Sequence, residues 1–198
     1  VIVAHSMGGQ ILLGALAQGK VSPDSVVFTG PMFGLKPDWL PRWLLHLFAR
    51  TLVALRGAAT PAWRGAERPD AAPGDRFELL THDHERYADE TWWREQRPEL
   101  ALGAPSWGWI ERSLAAMDET ARPGVLKRLD MPVLIVATRS DGLVSWRAIR
   151  KVAARLPKVR LVVYGGEARH EILRESDEVR MAALAEIDAF LDPFAPAA

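Results

Sequence analysis

The chain has 198 residues, 48% hydrophobic and 25% charged, a globular composition that argues against intrinsic disorder and suffices for one substantial core. Its 25 Lys and Arg balance 25 Asp and Glu, so it lacks the net positive field that draws proteins to a nucleic acid backbone. With no cysteine there is no disulfide, thiolate metal site or cysteine nucleophile, and no apolar run approaches the roughly 18 residues of a membrane-spanning helix.

Val1-Ile2-Val3 lacks a starting methionine and reads as the tail of a buried strand, so further strand is expected before Val1. Val1 to Ala4 is followed by His5-Ser6-Met7-Gly8-Gly9, then by Ile11, Leu12, Ala15 and Leu16 at helical spacing up to Gly19. This predicts strand, tight turn and helix. Further strands are predicted at Val26-Val27-Phe28, closed by Gly30-Pro31, at Val133 to Ala137 and at Arg160 to Tyr164. Ile149, Val152, Ala153 and Leu156 predict a helix between the last two strands, and Val179, Ala183, Ile187, Phe190 and Leu191 predict one after them. Strands and helices in this order predict an α/β fold with a mostly parallel sheet flanked by helices.

Residues 35–120 interrupt the rhythm, with no convincing β run and seven of the eight tryptophans. The expected organisation is an α/β core over residues 1–34 and 121–198 with a helical cap inserted over 35–120. Trp39 to Arg56 predicts an amphipathic helix flanked by Arg42, Arg50 and Arg56, and residues 57–76 predict a flexible link. The Ala/Pro-rich tail after Asp192 is expected to fray.

The chemistry is concentrated in the first turn. A serine on a sharp strand-to-helix bend exposes its hydroxyl and shares that point with neighbouring backbone N–H groups. Small flanking residues permit such a bend, here Ala4 and Gly8 with Gly9 following, although Ala4 stands where the usual pattern has glycine. Taken alone, the pattern is equally compatible with an ordinary turn that happens to carry a serine. A serine hydroxyl needs a base, and that base needs an orienting group. Asp141 follows the strand ending near Thr138, and His170 follows the strand ending at Tyr164, both where parallel strands open onto a ligand crevice. The chain order Ser6, Asp141, His170 is that of a strand-edge hydrolase triad.

On these residues the chain resembles the α/β-hydrolases, and within them the lysophospholipase L2 and monoacylglycerol lipase-like branch. The resemblance covers essentially the whole chain. It rests on Ala4-His5-Ser6-Met7-Gly8-Gly9, on Ser140-Asp141, and above all on Ala168-Arg169-His170-Glu171-Ile172-Leu173 with Asp177-Glu178-Val179-Arg180. Leu102-Gly103-Ala104-Pro105-Ser106-Trp107-Gly108-Trp109 resembles the cap motif of that branch. The resemblance implies Ser6 as nucleophile, His170 as general base and then acid, Asp141 as its orienting group, and the Met7 N–H as one oxyanion donor. It places the second donor upstream of Val1, so the 198 residues alone are expected not to turn over. The implied activity is a serine ester hydrolase that forms an acyl-enzyme on lysophospholipid or monoacylglycerol. Alternatives are hydrolysis or acyl transfer on other small esters or amides, and a non-catalytic binding protein on a hydrolase scaffold.

His5 is expected to be a packed or hydrogen-bonded neighbour rather than a second base. With Trp107 and Trp109 it is also a candidate substrate contact, since aromatic rings over a serine site suit an acyl chain. His82-Asp83-His84 has the look of a metal pair, but i, i+2 spacing on a helix splays the rings, and no metal is expected. No cofactor is implied, because polypeptide groups supply the nucleophile, base and oxyanion donors. The expected location is the cytoplasm. Peripheral membrane contact through Trp39 to Arg56 stands beside simple packing over the site. Oligomeric state is left open.

Overall fold

The computed structural model describes residues 1–37, 39–63, 75–100 and 103–195. Leu102 and most of the expected link, residues 64–74, lie outside the described residues. So does the end of the tail, residues 196–198.

Four parallel strands, β1 (Ile2–His5), β2 (Val26–Thr29), β3 (Val133–Thr138) and β4 (Val159–Tyr164), lie side by side in chain order. β2 and β3 are buried at every position, as strands rich in Val and Ile are when both faces of a sheet are covered. Their residues alternate between two cores, because side chains on a strand point to opposite faces with period 2. Val26, Phe28, Val133, Ile135 and Ala137 face one core with Leu13, Leu16, Leu114, Met117 and Ile149. Val27, Leu134 and Val136 face the other, against Ile172, Val179, Ala183 and Ile187. Each fully buried Val, Leu or Ile stabilises the fold by about 1.5–3 kcal/mol.

The helices that supply these faces are α1 (Ser6–Ala17), α5 (Trp107–Thr120) and α6 (Trp146–Ala153) on the first and α7 (Asp177–Leu191) on the second. Ser106 and Ser145 cap α5 and α6, accepting the N–H groups of Trp109 and Ala148. α7 starts with Asp177 and Glu178, acids placed where the helix dipole favours negative charge.

Between β2 and β3 the chain forms α2 (Arg42–Arg56), α3 (Asp75–Leu80), α4 (His84–Gln96) and α5, with no named strand among the described residues. Leu114 and Met117 of α5 belong to the same core as the sheet. α2 starts at Arg42 rather than Trp39, because Pro41 opens the helix. Its Ala49 is fully buried, whereas Trp43, Leu47, Phe48 and Leu55 on the opposite side are exposed. The expected basic flank is altered as well, since Arg42 turns toward α5 and pairs with Asp118 at 2.6 Å. His46, on the same inner side, bridges Asp118 at 3.1 Å and Glu111 at 3.3 Å.

The start of the expected flexible link is in fact tied down. Ala62 N–H donates to the Pro105 carbonyl, Trp107 N–H to Thr60 and Gly108 N–H to Ala58. No helix among the described residues is long and apolar enough to cross a membrane.

Candidate active site

In a parallel sheet every strand ends at the same edge, so the residues following β1, β3 and β4 share a neighbourhood. Ser6 follows His5 at once and takes φ +49°, the one positive φ on a non-glycine residue among the described residues. That left-handed conformation costs a non-glycine residue roughly 1–2 kcal/mol. It turns the chain from β1 into α1 within one residue and leaves the hydroxyl pointing off the sheet edge. The Met32 N–H donates to the Ser6 carbonyl at 2.9 Å, binding the bend to the chain beyond β2.

The small residues around the bend differ in what they must accommodate. A Cβ on Gly8 would meet no described atom within 4 Å, whereas one on Gly9 would stand 2.9 Å from Pro31 Cβ. The close approach therefore falls on Gly9, which lets α1 lie against the end of β2.

Asp141 and His170 are each 3% exposed. Asp141 Oδ1 accepts the N–H groups of Leu143 and Val144 at 2.8 and 2.9 Å, which fixes the carboxylate. Its Oδ2 lies 2.7 Å from His170 Nδ1, and His170 Nε2 lies 2.9 Å from Ser6 Oγ. A carboxylate only accepts, so Nδ1 carries the proton and Nε2 is left to accept from the serine. The structure thus brings together three side chains separated by up to 164 positions in one hydrogen-bonded line. Such a line can deliver an activated alkoxide to a carbonyl and return the proton to a leaving group.

Two supports of this line carry weaker marks in the sequence. Gly30 has φ +49°, and a Cβ there would lie 2.9 Å from the His170 carbonyl oxygen, so its bare backbone makes room for the histidine loop. The Thr138 hydroxyl, at the end of β3, is 2.9 Å from both the Gly165 and Ala168 carbonyls and accepts the Ser140 N–H. It knits the loops of Asp141 and His170 together. Gly30-Pro31 is legible as a strand terminator, but its role toward His170 depends on a loop 140 residues away.

His5 hydrogen-bonds Thr29 through Nδ1 at 3.1 Å, and its ring is tilted against that of His170 with centroids 5.0 Å apart. Although it keeps open surface at the sheet edge, loss of hydration and then the nearby His170 push its pKa below the ordinary histidine value. Glu171, Thr29 and Asp141 only partly counter this. Trp109 donates its indole N–H to Met7 Sδ at 3.3 Å, beside the bend. Trp107 instead packs edge-on against Phe48 with centroids 5.5 Å apart. Met7 lies in the first turn of α1, where backbone N–H groups have no partner within the helix.

His82 and Asp83 precede α4 rather than lying on it. Asp83 caps that helix by accepting the Arg86 N–H, His82 faces Glu175, and His84 stacks on Phe77. No group of three potential metal ligands occurs among the described residues. A hollow of about 460 Å³ lined by Phe33, Leu45, Leu114, Met117 and Arg155 reaches none of Ser6, Asp141 or His170. It is not where a carbonyl attacked by Ser6 would sit.

A parallel sheet flanked by helices, with serine, carboxylate and imidazole gathered at its edge in this chain order, defines an α/β-hydrolase. Residues 1–177 match the family described as serine aminopeptidase, S33 (Hydrolase_4), and the chain belongs to that family. It is 29% identical over 204 residues to a lysophospholipase L2 of Escherichia coli, the match covering 96% of this chain and 57% of the relative. It is 26% identical over 191 residues to a probable lysophospholipase L2 of Haemophilus influenzae, covering 96% and 59%. The chain thus spans less than two thirds of the length of these curated relatives. Its fold is shared with a monoglyceride lipase of Saccharomyces cerevisiae, TM-score 0.73 at 21% identity, covering 98% of this chain and 62% of that one. It is shared too with a monoacylglycerol lipase of Paleococcus ferrophilus, TM-score 0.70 at 17% identity, covering 96% and 67%.

Proposed function

We propose that the protein is a serine ester hydrolase that acts through an acyl-enzyme on lysophospholipid or monoacylglycerol. One observation carries the reading: the unbroken Ser6–His170–Asp141 line, with links of 2.9 and 2.7 Å, on a bend held at positive φ. Ser6 Oγ attacks the ester carbonyl as its proton passes to His170 Nε2, and Asp141 holds the resulting imidazolium through Nδ1–H. The Met7 N–H donates to the developing oxyanion. Collapse breaks the ester bond, and His170 protonates the departing alcohol. A water deprotonated by His170 then attacks the acyl-serine and releases the acid. The lysophospholipase L2 relatives support the lipid class.

The outward apolar side of α2 supports peripheral contact with a lipid surface, since Trp43, Leu47, Phe48 and Leu55 are exposed together. Replacing Trp43, Leu47 and Phe48 with Ser is expected to weaken binding to anionic vesicles, and unaltered binding would remove the membrane contact. The description of the family as a serine aminopeptidase favours amide cleavage as the second reading.

In the complete gene product, Ser6→Ala or His170→Ala is expected to lower ester turnover by about 10⁴-fold or more. A loss under about tenfold would overturn the assignment. A panel of lysophospholipids, monoacylglycerols and aminoacyl amides separates the two readings. Covalent capture of a fluorophosphonate by Ser6 separates both from a binding protein that lacks catalysis.

A further inference from the structure

The His170 loop is gripped from behind by a carboxylate that takes no part in the acyl chemistry. Glu175 has a side chain 1% exposed, a costly place for a charge unless its oxygens are fully engaged. They are engaged from two directions. Oε1 accepts the N–H of Arg169, the residue before His170, at 2.6 Å. Oε2 accepts the N–H of His82, in the turn between α3 and α4, at 3.0 Å, and His82 Nδ1–H points at the same carboxylate from 3.1 Å. Thr81, fully buried, adds a bond from its hydroxyl to the Arg174 carbonyl at 2.7 Å and accepts the Asp83 N–H at 3.0 Å.

Backbone bonds continue the seam. The Glu171 N–H donates to Leu80 at 2.8 Å, and the His170 N–H reaches toward Leu79 at 3.4 Å. Residues 79–83 and 169–175 are therefore zipped together across about ninety positions of sequence, with Glu175 at the centre.

We infer that Glu175 is a positioning residue for His170: by clamping the Arg169 peptide to the His82 peptide it sets the place of the imidazole over Ser6. It thereby couples the helical segment between β2 and β3 to the base. The inference rests on the reading of His170 as general base. Without the second carboxylate oxygen, one of the N–H groups of Arg169 and His82 loses its acceptor and faces an amide N–H₂ instead. The loop then relaxes, and the 2.9 Å approach of Nε2 to Ser6 Oγ lengthens with it.

The test is Glu175→Gln in the complete gene product, with active sites counted by fluorophosphonate. The expected result is one label per folded chain, a labelling rate and kcat per labelled site lower by about 10- to 100-fold, KM within about twofold, and a displaced pH profile of kcat/KM. Glu175→Asp, which keeps the carboxylate one methylene short, recovers part of the loss. A purely structural role would lower the number of labelled sites and leave kcat per site and the pH profile as in the wild type, which would overturn the inference. If Glu175→Gln fails to fold, Glu175→Asp carries the same measurements, because it withdraws the carboxylate from the Arg169 N–H, and wild-type values there overturn the inference equally. A Ser6→Ala protein that still turns over would instead remove the serine hydrolase reading itself.

Discussion

Gly30 offers a sharp test of how the histidine loop is seated, because the change is one methyl group. Gly30→Ala places a Cβ 2.9 Å from the His170 carbonyl oxygen, 0.5 Å inside the 3.4 Å at which contact becomes ordinary, and 3.5 Å from the Cε1 and Nδ1 ring atoms. The residue also sits at φ +49°, which costs an L-residue roughly 1–2 kcal/mol. Overpacking against backbone adds about 1–3 kcal/mol, so the variant should lose about 2–5 kcal/mol of unfolding free energy. Relief of the clash moves the His170 peptide away from β2 by a few tenths of an ångström. Since a misplacement of about 1 Å costs about 10²-fold, kcat/KM should fall by about tenfold, roughly 1.4 kcal/mol of transition-state stabilisation. Urea unfolding and hydrolysis of a short-chain ester by the complete gene product measure the two effects. Gly166→Ala is the matched control in the loop after β4, where an added Cβ meets nothing within 4 Å. A Gly30→Ala protein within about 0.5 kcal/mol and twofold of the control would refute the reasoning.

Asp141→Asn presents an amide N–H₂ to His170 Nδ1 and forces the proton onto Nε2, so ester turnover should fall by about 10³- to 10⁴-fold; near-normal turnover would show that the 2.7 Å contact does not set the tautomer. His5 has a pKa lowered in the folded state, so below an unfolded value of about 6.5 the unfolded chain takes up the proton first and stability falls with pH. His5→Gln should therefore show a smaller drop in Tm between about pH 7 and pH 5 than the wild type, and equal drops would contradict the assignment. Trp109→Leu uncovers Met7 and should alter the preference between long and short acyl esters. Trp107→Leu removes the edge contact with Phe48 and should lower stability by about 1–2 kcal/mol with the preference kept. Reversed outcomes for the two tryptophans would exchange their roles.

Much of this molecule could be read along the chain because its signals are local. Val133 to Ala137 is a continuous apolar run rich in Val and Ile, as suits a strand covered on both faces, and β3 is such a strand. Ser6, Asp141 and His170 each follow a strand, and parallel pairing necessarily gathers strand ends at one edge. Helix boundaries moved by a few residues, as with α2, where Pro41 rather than Trp39 marks the start.

Contacts between distant segments left no such trace. Periodicity in α2 marks an apolar face but not its direction, and Trp43 and Leu47 point outward because Ala49, His46 and Arg42 meet α5. His82 resembled half of a metal pair until Glu175, 93 positions later, came to face it. The steric demand on Gly9 comes from Pro31 and that on Gly30 from His170, neighbours created by folding alone. Strand and helix preference follows from adjacent residues, so the linear chain specifies the elements and the loops that carry Ser6, Asp141 and His170, while the lateral order of the strands was decided by folding. Hydrogen-bond partners, close approaches and the outward face of a helix are properties of pairs far apart in the chain, and they exist only once the sheet has brought those pairs together.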